Sequence, residues 1–120
     1  MKIMVVDDSK AMRLIVIKTL RDAGFGGHDI VQAADGKEAL DLILEDRPDL
    51  VLCDWNMPNM NGPELLSALK AENVNPPFGF VTTEATPAMK EQAEELGARF
   101  LIAKPFTADT FESTLADYIR

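Results

Sequence analysis

At 120 residues the chain has room for one domain and one core, and 47% hydrophobic with 27% charged residues excludes a disordered polymer. A net charge of −8, 20 acids against 12 bases with no basic stripe, repels a phosphate backbone and argues against direct nucleic-acid binding. The single cysteine, Cys53, cannot close an internal disulfide, no apolar run nears the roughly 18 residues of a membrane span, and the opening Met1–Val6 meets two aspartates too early for a signal peptide. A cytoplasmic protein without a membrane partner is expected.

The first apolar run, Ile3–Val6, is short and continuous, as in a strand buried on both faces of a parallel sheet. A helical pattern follows, with Met12, Ile15, Val16, Leu20 and Ala23 on one face, and Gly24 stops it. Leu14 and Ile17 fall off that face, as scattered surface apolar residues or as a docking patch for a partner. His28, in a Gly-rich loop, reads as a plain surface histidine. The second run, Ile30–Ala34, is the most polar of the five and suits an edge strand. A helix is predicted over Gly36–Glu45, with Ala39, Leu40 and Ile43 inward and Pro48 beyond its end. Leu50–Cys53 is the third strand, with Cys53 a packing residue. A helix from Gly62 buries Leu65, Leu66 and Leu69. Phe78–Val81 is the fourth strand, and Pro87 opens a helix burying Met89, Ala93 and Leu96 before Gly97. Phe100–Ala103 is the fifth, and a helix capped near Thr107 buries Phe111, Leu115 and Ile119.

Five strand–helix units predict an α/β fold, a doubly wound (βα)5 parallel sheet with helices on both faces. No repeat or linker interrupts it, so residues 1–120 are expected to be one domain without an appended output domain.

In such sheets ligands sit at the carboxyl ends of the strands. Asp7 and Asp8 follow the first run, Asp54 the third, Thr82 and Thr83 the fourth, and Lys104-Pro105 the fifth. Adjacent carboxylates repel unless a cation neutralises them, and oxygen ligands of this kind suit Mg²⁺. A carboxylate can also attack phosphorus, giving an aspartyl phosphate. Phosphoryl transfer is largely positioning and charge neutralisation, which a metal and Lys104 would supply while Thr82 donates a hydrogen bond. Each piece alone is weak, since paired aspartates often cap helices and Lys-Pro is usually a turn. Their shared position at successive strand ends carries the reading.

The motifs V-V-D-D (5–8), A-x-D-G-x-E-A-L (33–40), D-W-N-M-P-N-M-N-G (54–62), V-T-T-E-A (81–85) and K-P-F (104–106) resemble those of bacterial response-regulator receiver domains, most of all the chemotaxis (CheY-like) kind. The resemblance covers the whole chain. It implies the flavodoxin-like strand order 2-1-3-4-5. It implies Asp54 as phosphoacceptor, with Asp8, Asp54 and the Asn56 carbonyl as Mg²⁺ ligands and Asp7 holding a metal-bound water. Thr82 would swing toward the phosphoryl group, Lys104 would pair with it through a cis bond to Pro105, and Asn56 and Glu84 would set a short lifetime. The implied donor is a sensor histidine kinase or a histidine phosphotransfer domain. The implied recipient is an output protein, with the flagellar motor switch a candidate. The domain would then be a signalling switch of a two-component phosphorelay, catalysing only its own phosphorylation and dephosphorylation.

Two departures bear on that output. Leu101 stands where chemotaxis-type switches usually carry an aromatic residue, next to Phe100, and Thr86-Pro87-Ala88 opens the fourth helix without basic residues. Trp55 is expected to form a partly exposed wall of the site. Other readings are a phosphate sink, an isolated receiver of a larger regulator, and a haloacid-dehalogenase-like phosphatase. The last favours an Asp-x-Asp pair on the first strand and a cap domain, where this chain has adjacent Asp7 and Asp8.

Overall fold

The computed structural model describes residues 1–119. Strands β1 (Lys2–Val6), β2 (Asp29–Ala33), β3 (Leu50–Cys53), β4 (Phe78–Thr82) and β5 (Phe100–Ala103) alternate with helices α1 (Lys10–Leu20), α2 (Gly36–Glu45), α3 (Gly62–Ala71), α4 (Pro87–Leu96) and α5 (Ala108–Leu115). All pairings are parallel and the order is β2-β1-β3-β4-β5, so the most polar run does lie at an edge.

The helices begin where side chains satisfy their free N–H groups. Ser9, Asp35, Asn61, Thr86 and Thr107 each accept from a backbone amide of the first turn, and Asn61 with Glu64 forms a reciprocal capping box. Gly24 and Gly97 end helical segments with φ of +94°, a region open to glycine at no steric cost. The first segment closes through a π-helical turn, Arg21–Phe25.

Alternation along the strands splits the core in two. Met4, Val6, Val51, Cys53, Phe78 and Phe80 pack under α2, α3 and α4 with Ile43, Leu65, Leu69 and Ala93. Ile3, Val5, Leu50, Leu52, Val81 and Ile102 pack under α1 and α5 with Val16, Leu20, Phe111 and Leu115.

One expectation fails on α1. Ile15 is 49% exposed, beside Leu14 at 50%, whereas Ile17 packs against the core. Ile17 borders a small groove with Phe25 and Ile30, and on the β2 side Arg13 donates from Nε to the Gln32 Oε1 at 3.0 Å. No helix among the described residues is long and apolar enough to cross a membrane.

Candidate functional site

Register brings the acidic residues together. Val6 at the end of β1 pairs with Cys53 at the end of β3, so the next residues, Asp7 and Asp54, leave the sheet side by side. The Asp54 amide donates to the Val6 carbonyl at 2.9 Å and the Asp7 amide to the Ala33 carbonyl at 3.1 Å, which extends the sheet to both aspartates. Asp8 follows on the exposed side. One carboxylate oxygen from each of Asp7, Asp8 and Asp54 lies within 4.8 Å of the other two.

Lys104 reaches this cluster from β5. Its Nζ donates to Asp7 Oδ2 at 3.0 Å and lies 3.5 Å from Asp54 Oδ2. Its amide donates to the Thr82 carbonyl at 2.8 Å, and its bond to Pro105 is cis as expected. Asp7 is held further by the Ser9 amide on Oδ1 at 2.9 Å, and Asp54 Oδ1 accepts from the Trp55 amide at 2.8 Å. The Asp8 carboxylate has no hydrogen-bond partner among the described residues.

Three carboxylates close together outnumber the Lys104 ammonium between two of them, an excess of negative charge that a bound cation would offset. Burial pushes the Asp54 carboxyl above its ordinary value, and repulsion from Asp7 adds to this, while the Lys104 ammonium and the Trp55 N–H pull the other way. A hard cation would relieve the repulsion, and the all-oxygen donor set is the kind Mg²⁺ takes. The cluster thus suits Mg²⁺ binding and aspartate phosphorylation.

The remaining sequence-derived residues ring the cluster at different distances from its chemistry. Thr82 is fully buried at the end of β4, and its hydroxyl accepts from the Glu84 amide at 3.2 Å. The Asn56 and Glu84 side chains are exposed on the loops after β3 and β4, with no hydrogen bond among the described residues. Cys53 is buried, and desolvation with the nearby Asp54 and Asp7 charges pushes its thiol well above the ordinary value, so it packs rather than reacts.

Trp55 corrects an expectation. It is only 9% exposed and stacks on Phe80 at 4.6 Å, so it anchors the loop to the core instead of forming an open wall. Leu101 is half-buried against the α4 side of the sheet, while Phe100 lies on the other face, over Gly79 and 5.3 Å from the Tyr118 ring. The neighbouring aromatic therefore does not stand in for the residue missing at 101. Sequence reasoning passed over Arg13, whose Nη1 donates to the Asp7 carbonyl at 2.6 Å. A cation one turn past a strand-end aspartate pair was the available signal.

A parallel sheet in this order, with an acidic cluster and a lysine at its carboxyl edge, is the architecture of receiver domains, which act as signalling switches rather than classical enzymes. The response regulator receiver domain family matches residues 3–116, and the chain belongs to it. It is 39% identical over 117 residues to chemotaxis protein CheY-3 of Vibrio cholerae, covering 96% of this chain and 88% of that protein. It is 40% identical over 122 residues to a chemotaxis protein CheY homolog of Campylobacter jejuni, covering 99% and 92%. Among solved structures, V. cholerae CheY4 superposes with a TM-score of 0.85 at 36% identity, covering 98% of each chain.

Proposed function

We propose that residues 1–120 form a single receiver domain that acts as a phosphorylation-activated switch in a two-component pathway of the chemotaxis type. Asp54 is the phosphoacceptor. The observation that carries the reading is the convergence of Asp7, Asp8 and Asp54 on one point with Lys104 against two of them. Asp8, Asp54 and the backbone carbonyl of Asn56 would hold Mg²⁺, with Asp7 on a bound water. The metal would neutralise charge on the transferred group.

The chain's own residues divide the remaining work. Asp54 supplies the nucleophilic oxygen, and its second oxygen is steadied by the Trp55 amide. Lys104 sits within reach of a group carried on Asp54 and would shift its pairing from Asp7 toward it. Thr82 would turn its hydroxyl from the Glu84 amide to a phosphoryl oxygen, which releases the loop that leads to α4. Asn56 and Glu84, both exposed at the rim, would set the lifetime of the acyl phosphate. The donor would be a phosphohistidine on a sensor kinase or phosphotransfer domain in the cytoplasm.

The output would be read at α4, β5 and α5. A groove of about 240 Å³ between α4 and β5, bordered by Lys90, Glu94, Arg99 and Leu101, lies on that surface. A flagellar motor switch protein is the partner suggested by the chemotaxis relatives. The aliphatic Leu101 favours a second reading, a phosphate sink that drains a shared kinase without binding an output protein.

Incubation with acetyl phosphate and Mg²⁺, followed by intact-mass measurement, tests the assignment. One phosphoryl group per chain is expected, absent in Asp54→Ala. Labelling that persists in this variant would sink it. A pull-down with beryllofluoride-bound protein separates the two readings, since a sink captures no output protein.

A further inference from the structure

The loop between β3 and α3 carries Asn56, and the hydrogen bonds that hold its tip come from the start of α2 and its cap. Asn59 Nδ2 donates to Asp35 Oδ2 at 2.8 Å. The Gly36 amide donates to the Met60 carbonyl at 3.0 Å. The contact is close enough that a Cβ on Gly36 would meet the Met60 carbonyl oxygen at 2.5 Å, so glycine is required for the approach itself. Asn59 adopts φ +65°, a left-handed conformation that asparagine tolerates better than most residues and that turns its amide toward α2. At the other end of the loop the Gly62 amide donates to the Trp55 carbonyl at 2.9 Å. Asn56 thus lies between a closed base at Trp55–Gly62 and a tip fastened at Asn59–Met60.

Asp35 serves two duties with two oxygens. Oδ1 accepts from the Glu38 amide at 2.8 Å and caps α2, while Oδ2 holds Asn59. The ionised carboxylate offers both oxygens as acceptors at once, and the Glu38 N–H followed by the Asn59 amide holds the group below its ordinary value.

We infer that Asp35 and Asn59 form a clasp that fixes the β3–α3 loop and, through it, presents the Asn56 carbonyl to the cation at the Asp8–Asp54 edge. Asp35 is a positioning residue: it touches no reacting atom, but it fastens the segment that does. The part concerning the cation rests on the proposed Mg²⁺ site. Partners that orient metal ligands from behind typically change metal affinity about 10- to 100-fold when removed, and a carbonyl on a short, doubly anchored loop belongs at the lower end.

The substitutions separate clasp from cap. Asp35→Asn keeps a good N-cap, because an amide oxygen still accepts from Glu38, but sets an amide NH₂ against that of Asn59. Asn59→Gly keeps the left-handed backbone and deletes the side chain. The exchange D35N/N59D restores the bond with donor and acceptor reversed. Two readouts apply: amide hydrogen-exchange protection at Gly36 and Met60 in metal-free protein, and Mg²⁺ affinity from the fluorescence of Trp55. In D35N and N59G, protection at both amides should fall about tenfold and Mg²⁺ should bind about tenfold more weakly, and the double exchange should recover most of each loss. Unchanged protection, or a double variant no better than the singles, would overturn the clasp. Lost protection with Mg²⁺ affinity within twofold of the parent would overturn its link to the cation. A parent protein whose fluorescence ignores Mg²⁺ would refute the metal site itself, and the exchange data would still decide the clasp.

Discussion

Asp54 is held in a state that opposes its own ionisation. Burial and the adjacent Asp7 raise its pKa, against the help of Lys104 and the Trp55 N–H. A carboxyl whose folded pKa lies above its unfolded value binds its proton more tightly in the native state. Its contribution to stability therefore falls as pH rises from the ordinary 3.8 through the folded value, and the deficit remains at neutral pH. Asp54→Asn removes the charge in nearly the same volume, and Lys104 keeps Asp7 at 3.0 Å. Metal-free D54N should melt about 3–6 °C higher than the parent at pH 7, the shift that roughly 1 kcal/mol makes in a domain of this size. The gap should narrow as pH falls toward and below the ordinary 3.8, where the carboxyl takes up its proton in both states. A D54N protein that melts lower at pH 7 would show that the Lys104 pairing outweighs the repulsion. Asp35 follows the opposite sign. Its pKa is lowered, so its contribution is complete above the ordinary 3.8 and is lost as pH falls through the folded value. The sequence showed the role of the first carboxylate and, although Asp35 stands in the A-x-D-G motif, not the partner of the second. Asp54 ends an apolar strand, where a charge is conspicuous, whereas Asp35 sits in an ordinary capping position and its contact with Asn59 joins residues 24 apart.

At the scale of elements, continuous apolar runs located the strands, and apolar residues at helical spacing located the helices between them. The spacing was least informative where two faces were equally apolar. Ile15, Val16 and Ile17 are consecutive, and only the three-dimensional packing of α1 decides which of the outer two is covered. Trp55 directly follows the site aspartate in sequence, and nothing local to it shows the Phe80 ring against which it packs. Packing between neighbouring strands holds a sharper constraint. Gly79 pairs with Phe100, and a Cβ at 79 would come to 2.0 Å from the Phe100 ring, which also contacts the Tyr118 ring at 5.3 Å. Gly79→Ala should therefore destabilise the domain by about 1–3 kcal/mol, as overpacking does. In a Phe100→Leu background the same change should cost much less, because the clashing ring atoms are gone. Urea denaturation midpoints of the four proteins measure this coupling. Additive losses in the double variant would mean that the ring can move aside and that Gly79 is required for some other reason.

For the whole molecule, the acidic cluster lies where it can act on global stability. Asp7 and Asp54 extend β1 and β3, two adjacent strands of the sheet interior, so charge repulsion between them strains the centre of the fold rather than a mobile rim. A cation that binds only the assembled cluster stabilises the native state by mass action, about 2.7 kcal/mol at a concentration 100 times its dissociation constant. That corresponds to a rise in melting temperature of roughly 10 °C. General screening is a different effect. The net charge of −8 is spread over the surface, and about 0.1 M monovalent salt screens such charges beyond roughly 10 Å while doing little for carboxylates in contact. Mg²⁺ should therefore raise the melting temperature well beyond sodium chloride of equal ionic strength. Asp8→Asn and Asp54→Ala should lose that excess, and Asp22→Asn, on the far surface beside Lys18, should keep it. Scanning calorimetry of the four proteins in the two salts decides the matter. Equal shifts in Mg²⁺ and in sodium chloride would reduce the cluster to one more patch of screened surface charge. A magnesium-specific shift that vanishes with Asp8 or Asp54 alone would tie the stability of the entire sheet to the occupancy of three oxygens at its edge.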